Sequence, residues 1–210
     1  MSFVNKNQFL LPLLSFTGIL LAGRIIHTHT IVFLFIPWNL LLAFVPLYFS
    51  YQLNHTGSKK TQWLFLALWL LFFPNSMYII TDLFHLHERV GMPQWYDLLI
   101  LFSAALNGLV MGFLSVVEVE EYLSAHIHTG FIRWVVLSFF FLSGYGIYLG
   151  RYLRWNSWSI ITRPLSLLYD IRQDVFHPIR HDQSWMMSIL FGIWLYILYK
   201  YFKKFKAGFI

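Results

Sequence analysis

The chain has 210 residues, of which 58% are apolar and only 11% charged, with a formal net charge of +6 and no cysteine. A soluble domain carries roughly a quarter charged residues, so the composition excludes one. The missing thiols exclude disulfides, thiolate metal centres, CxxC redox chemistry and a cysteine nucleophile, and the excess positive charge, which lies mostly in loops and the tail and forms no continuous soluble face, points to membrane lipids rather than nucleic acid as its partner.

Six runs, 9–25, 31–51, 63–80, 97–117, 131–149 and 185–202, approach the roughly 20 apolar residues that a membrane helix needs. They predict an all-α polytopic transmembrane helical bundle of about six spans, forming one integral membrane domain over 1–210, with short connections between antiparallel neighbours. Lys6 precedes the first run, but no Ala-x-Ala cleavage site follows it, so this run reads as a retained span. An even number of spans puts both termini on one side. The basic residues divide almost evenly between the two sides, and the basic stretch 199–206 decides for cytoplasmic termini.

The third run is interrupted by Pro74, Asn75 and Ser76 and ends in Thr81 and Asp82. Pro74 has no N–H and clashes with the preceding turn, which predicts a kink and a freed carbonyl near Leu70. Asn75 and Ser76 satisfy that backbone locally, or they line a cavity in which Asn75 points along one helical face towards Asp82. The fourth run begins at Asp97 and carries Asn107 about 15 Å further in. An amide at that depth bonds across helices or lines a pathway. The stripe Ala104, Gly108, Gly112 and Ser115, and the pair Gly146 and Gly150, suit close helix packing.

Between the fifth and sixth runs, 150–184 mixes five arginines with Trp155, Trp158, Tyr169 and Phe176, a composition suited to the headgroup region. Pro164, Leu168, Ile171 and Val175 are spaced as one face of an interfacial amphipathic helix starting at Pro164; a solvated loop is the alternative. Threading six spans brings Asp82, His85, His87, Asp97, Arg151 and Arg154 to one membrane face, with Asn75 and Asn107 opening inward from it. Three His-x-His pairs, at His27, His85 and His126, invite a metal reading, but residues two apart diverge on a helix and no HExxH is present. No metal or cofactor is assigned. Glu118, Glu120 and Glu121 on the opposite face read as a solvated helix end.

The runs Phe73-Pro74-Asn75-Ser76-Met77-Tyr78-Ile79-Ile80-Thr81-Asp82-Leu83, Trp95-Tyr96-Asp97-Leu98 with Asn107-Gly108, and Gly150-Arg151-Tyr152-Leu153-Arg154-Trp155-Asn156-Ser157-Trp158 resemble membrane proteins of domain-of-unknown-function family 1361. The resemblance covers most of the chain and implies a bacterial inner-membrane protein, with no activity, substrate or catalytic residue to carry over. Ser159 departs from it, since an acidic residue is expected after Asn-Ser-Trp.

The leading functional expectation is binding or processing of an anionic lipid-type substrate at the outer membrane face. Arg151 and Arg154 form the anion clamp, since a guanidinium pairs well with phosphate or carboxylate. Asp82 orients the substrate or acts as base, and His85 carries a proton. Asn75, Asp97, Asn107, Asn156 and Ser157 supply substrate contacts. A pairing of these arginines with Asp82 or Asp97 is the purely structural alternative. Two rivals remain: a transporter or proton-coupled permease with Asn107 and Asp97 along its path, and an assembly or scaffold subunit.

Overall fold

In the computed structural model, residues 3, 7–88, 91–155, 159–177 and 182–208 are described, and every regular element among them is helical. In chain order these are α1 (Leu10–Thr28), α2 (Phe35–His55), α3 (Lys59–Tyr78), continued by a 3-10 segment (Ile79–His85), then α4 (Gln94–Ser124), α5 (Thr129–Arg151), α6 (Ser159–Thr162), α7 (Pro164–Phe176) and α8 (Asp182–Gly208). Among the described residues five stretches are long and apolar enough to cross a membrane: Leu10–Thr28, Lys59–His85, Gln94–Ser124, Thr129–Arg151 and Asp182–Lys206. The remaining expected span is α2, whose 21 residues are diluted by Asn39, Gln52, Asn54 and two prolines. It packs in the same bundle, against α3 and α4.

The 31-residue α4 is the axis of the bundle, the most buried of the five spans. It outruns the expected 97–117 because Glu118, Glu120 and Glu121 continue the helix instead of ending it. Glu118 is buried and receives the Asn54 amide on its carbonyl at 2.9 Å, while Glu120 accepts from Tyr199 and Lys203 of α8. Glu118 and Glu120 are therefore interhelical glue, while Glu121 alone stays exposed as expected of a solvated helix end.

Both small-residue stripes grip α3, from two sides. A Cβ on Gly108 would lie 2.1 Å from Ile79 Cγ2, and one on Gly112 would lie 2.3 Å from Met77 Cε. On the other flank a Cβ on Gly146 would meet Pro74 at 2.7 Å, and one on Gly150 would meet Tyr78 at 3.1 Å. Ser115 completes the α4 stripe by accepting the indole N–H of Trp69 at 3.0 Å. Such backbone approach is what small residues permit between membrane helices, where dispersion and hydrogen bonds replace the hydrophobic drive.

The helix expected to begin at Pro164 is α7, with the proline in its first turn. Its apolar stripe faces away from the protein: Leu168 and Val175 are exposed, whereas Leu167 and Asp174 are buried. Acidic side chains hold it down. Asp170 accepts from Trp155 Nε1 and Asp174 from the Tyr145 hydroxyl, both at 2.8 Å, and Trp185 Nε1 donates to the Asp174 carbonyl at 2.9 Å. A helix pinned by its polar side with its apolar side outward suits an interfacial position, where that side meets acyl chains.

Candidate functional site

The turns of α3 that follow Pro74 position the site. Leu71, Pro74, Asn75 and Tyr78 recur at helical spacing on one face, opposite the core face of Trp69, Phe73, Ser76 and Met77. Where α3 tightens into the 3-10 segment, three residues make a turn, so Asp82 and His85 follow one another along one side. All six residues of this side line a cavity of about 380 Å³. Phe35, Trp38, Asn39 and Leu42 of α2 form one wall, and Gly146, Leu149 and Gly150 of α5 form the other. Trp155 and Leu167 roof it beside α7.

The polarity of this cleft is graded. Asp82 and His85 stand at the α7 end, Asn39 and Asn75 come next, and Leu42, Leu71 and Pro74 line the depth. Along α2 it reaches from Phe35 to Leu42, about 10 Å at the helical rise. The two walls pack on α3 but scarcely on each other, and Trp38 at the edge is 53% exposed, so the cleft opens sideways between α2 and α5.

Asp82 is 2% exposed and accepts from Asn39 Nδ2 at 2.7 Å. No hydrogen bond among the described residues engages its other oxygen. The Arg151 charge acts on it from the rim. Arg151 Nη1 lies 3.2 Å from His85 Nε2, and its guanidinium covers the Phe84 ring at 5.2 Å. Because arginine only donates, His85 accepts through Nε2 and, as neutral imidazole, carries its proton on Nδ1. The imidazole also leans on Phe35, with ring centroids 5.1 Å apart.

The expected residues thus separate into groups. Asn75, Asp82 and His85 share the cleft with Arg151 at its rim, but Asn75 donates to the Phe72 carbonyl at 3.0 Å, and the amide on Asp82 is Asn39. Arg154 is exposed beyond α5 with a left-handed backbone, φ 57°. Asp97 lies elsewhere, in a buried forked ion pair with Arg24 of α1: Nε to Oδ1 is 2.7 Å and Nη2 to Oδ2 is 3.2 Å. Arg24 also covers Phe33 at 4.6 Å and donates to Thr30 at 3.0 Å. Asn107 bonds across to α1, donating to Thr17 Oγ1 at 2.8 Å and the Leu13 carbonyl at 3.2 Å, while its own Oδ1 is buried without a partner among the described residues. Asn156 and Ser157 lie outside the described residues, and Ser159 is buried at the start of α6.

Asn39 and Arg24 escaped the sequence reading although both sit inside predicted spans. A polar side chain in a membrane run normally faces the bundle interior, and that signal was present at both. The histidines mostly serve helix ends. His126 bonds the Tyr122 carbonyl at 2.7 Å, and His128 accepts from Gly130 N at 3.2 Å. Among the described residues no three His, Asp or Glu side chains converge as a metal site.

Fold and cleft together define a multi-pass helical membrane protein with a partly polar pocket near one end of its bundle. Residues 38–198 match the family described as Protein of unknown function (DUF1361). That is well over half of the chain, and the protein belongs to this family. Comparison with curated proteins and with solved structures gave no match.

Proposed function

We propose that the protein binds a lipid-type amphiphile in the α2–α3–α5 cleft, with the anionic group of its headgroup held by Arg151. The observation that carries this reading is the graded lining: a carboxylate and an imidazole at the α7 end, two amides below them, and then an apolar trough that opens sideways between α2 and α5. Its volume of about 380 Å³ falls in the range of ligand pockets, roughly 300 to 1,000 Å³. That suits a headgroup and the first part of a chain. In this reading Arg154, exposed just beyond α5, stands at the same rim. The α7 end faces outward in this reading, with the termini in the cytoplasm of a bacterial cell.

Asp82 and His85 are the groups available to a reaction, one as acceptor and the other as proton carrier through Nδ1. A transport path is less well supported. Asn107, the deep amide expected to line it, is engaged with Thr17 and Leu13.

Native mass spectrometry of detergent-released protein tests the site. Wild type is expected to retain a phosphate-bearing lipid and Arg151→Ala to lose it. A charge-assisted hydrogen bond is worth about 1.5 to 3 kcal/mol, so retention should fall roughly tenfold to a hundredfold. Equal retention by a folded variant would remove Arg151 from the site.

A further inference from the structure

Among the described residues that line the cleft, one is an acid and none is lysine or arginine; Arg151 reaches the site only at its rim, through His85. A purely anionic headgroup would bring negative charge against Asp82. From this charge order we infer that the headgroup is zwitterionic, with an ammonium group seated on Asp82 and a phosphate on Arg151, as in ethanolamine- or choline-headed phospholipids. The inference rests on the lipid-cleft reading above and adds the class of headgroup.

Three features support it. Asn39 fixes one oxygen of the nearly buried Asp82 carboxylate at 2.7 Å, and the second has no hydrogen-bond partner among the described residues. A buried carboxylate seeks a cation or further donors. The surrounding wall is aromatic, with Phe35, Trp38, Tyr78 and Trp155 all on the lining, and aromatic faces attract alkylammonium groups most strongly when these are desolvated. Trp155 is held as part of the roof by its bond to Asp170 at 2.8 Å and by Arg163 stacked over its ring at 5.0 Å. Finally, Asp82 and Arg151 both adjoin His85, the first one 3-10 turn before it and the second through Nε2. Opposite charges on either side of one imidazole suit the short ammonium-to-phosphate separation of such a headgroup. The apolar trough below selects the lipid over the free headgroup.

The test equilibrates maltoside-solubilised protein with equal amounts of phosphatidylethanolamine, phosphatidylcholine and phosphatidylglycerol bearing identical chains, and reads bound lipid by native mass spectrometry. Wild type is expected to favour the two ammonium-bearing lipids about tenfold over phosphatidylglycerol. Asp82→Asn is expected to erase that preference while still binding phosphatidylglycerol, whereas Arg151→Ala weakens all three. Trp38→Ala alters a side chain more than half exposed, so it should leave the fold intact and lower only the ammonium-bearing lipids. Glycerophosphoethanolamine, which has the head without the chains, should compete poorly; competition equal to the lipid would overturn the lipid assignment. Equal or better binding of phosphatidylglycerol by wild type would overturn the zwitterion and leave the cleft standing. Binding of none of the three would overturn both.

Discussion

At the scale of single residues, the buried ion pair of Arg24 and Asp97 and the open-sided carboxylate of Asp82 are two answers to one problem. A charge inside an apolar bundle is costly until it is paired. Arg24 and Asp97 satisfy each other at 2.7 Å, so we expect their role to be stability alone. Arg24→Ala leaves Asp97 uncompensated and should cost about 3 to 5 kcal/mol, whereas Arg24→Met with Asp97→Leu should recover most of it. Denaturant unfolding followed by far-ultraviolet circular dichroism would show this, and equal losses in the single and double variants would contradict it. Asp82 was legible as a candidate because it closes an apolar run beside Pro74 and Asn75. Its partner was not, because neighbours along one helix are readable from spacing while a contact across 43 residues to Asn39 depends on how helices meet.

At the scale of elements, α3 is held against the central α4 by glycines of α4 on one side and of α5 on the other. Gly108→Ala would force a methyl against Ile79 and the Ser76 carbonyl, and overpacking of that kind costs about 1 to 3 kcal/mol. Gly18→Ala, with nothing within 4 Å, should be neutral, which separates the contact from the general effect of glycine. Thermal melts of the two variants in one detergent compare them. The glycine stripes were plain in the sequence as packing devices, yet their common target was not, since spacing alone names a face and not the helix that it meets. The i, i+4, i+7, i+11 pattern of α7 likewise gave a helix and an apolar side. Which side the protein would cover was decided by Tyr145, Trp155 and Trp185, residues outside that pattern, reaching for the two aspartates and a backbone carbonyl. Trp155→Phe keeps the ring and removes the donor to Asp170. Hydrogen exchange over 164–176 should then rise severalfold while α4 stays protected; unchanged exchange would mean that this bond does not hold α7.

At the scale of the whole molecule, the helical bundle followed from composition and run length, because the apolar fraction of a spanning segment is a property of sequence alone. The contribution of α2 was harder to read, since Asn39 and the prolines that dilute it also shape the cleft wall. Sidedness can be checked without removing native thiols, as the chain has no cysteine. With the termini in the cytoplasm, a cysteine replacing His87 should react in intact cells with an impermeant maleimide, and one replacing Ser58 only after lysis; the reverse pattern would invert the topology. The Arg24–Asp97 pair has a further consequence, for the birth of the protein. The arginine leaves the ribosome 73 residues before its aspartate, an interval of about 4 to 15 s at bacterial and eukaryotic elongation rates of roughly 5 to 20 residues per second. Throughout that time α1 carries a cation without its aspartate, so the buried pair that joins the first helix to the bundle closes only after α4 has been made.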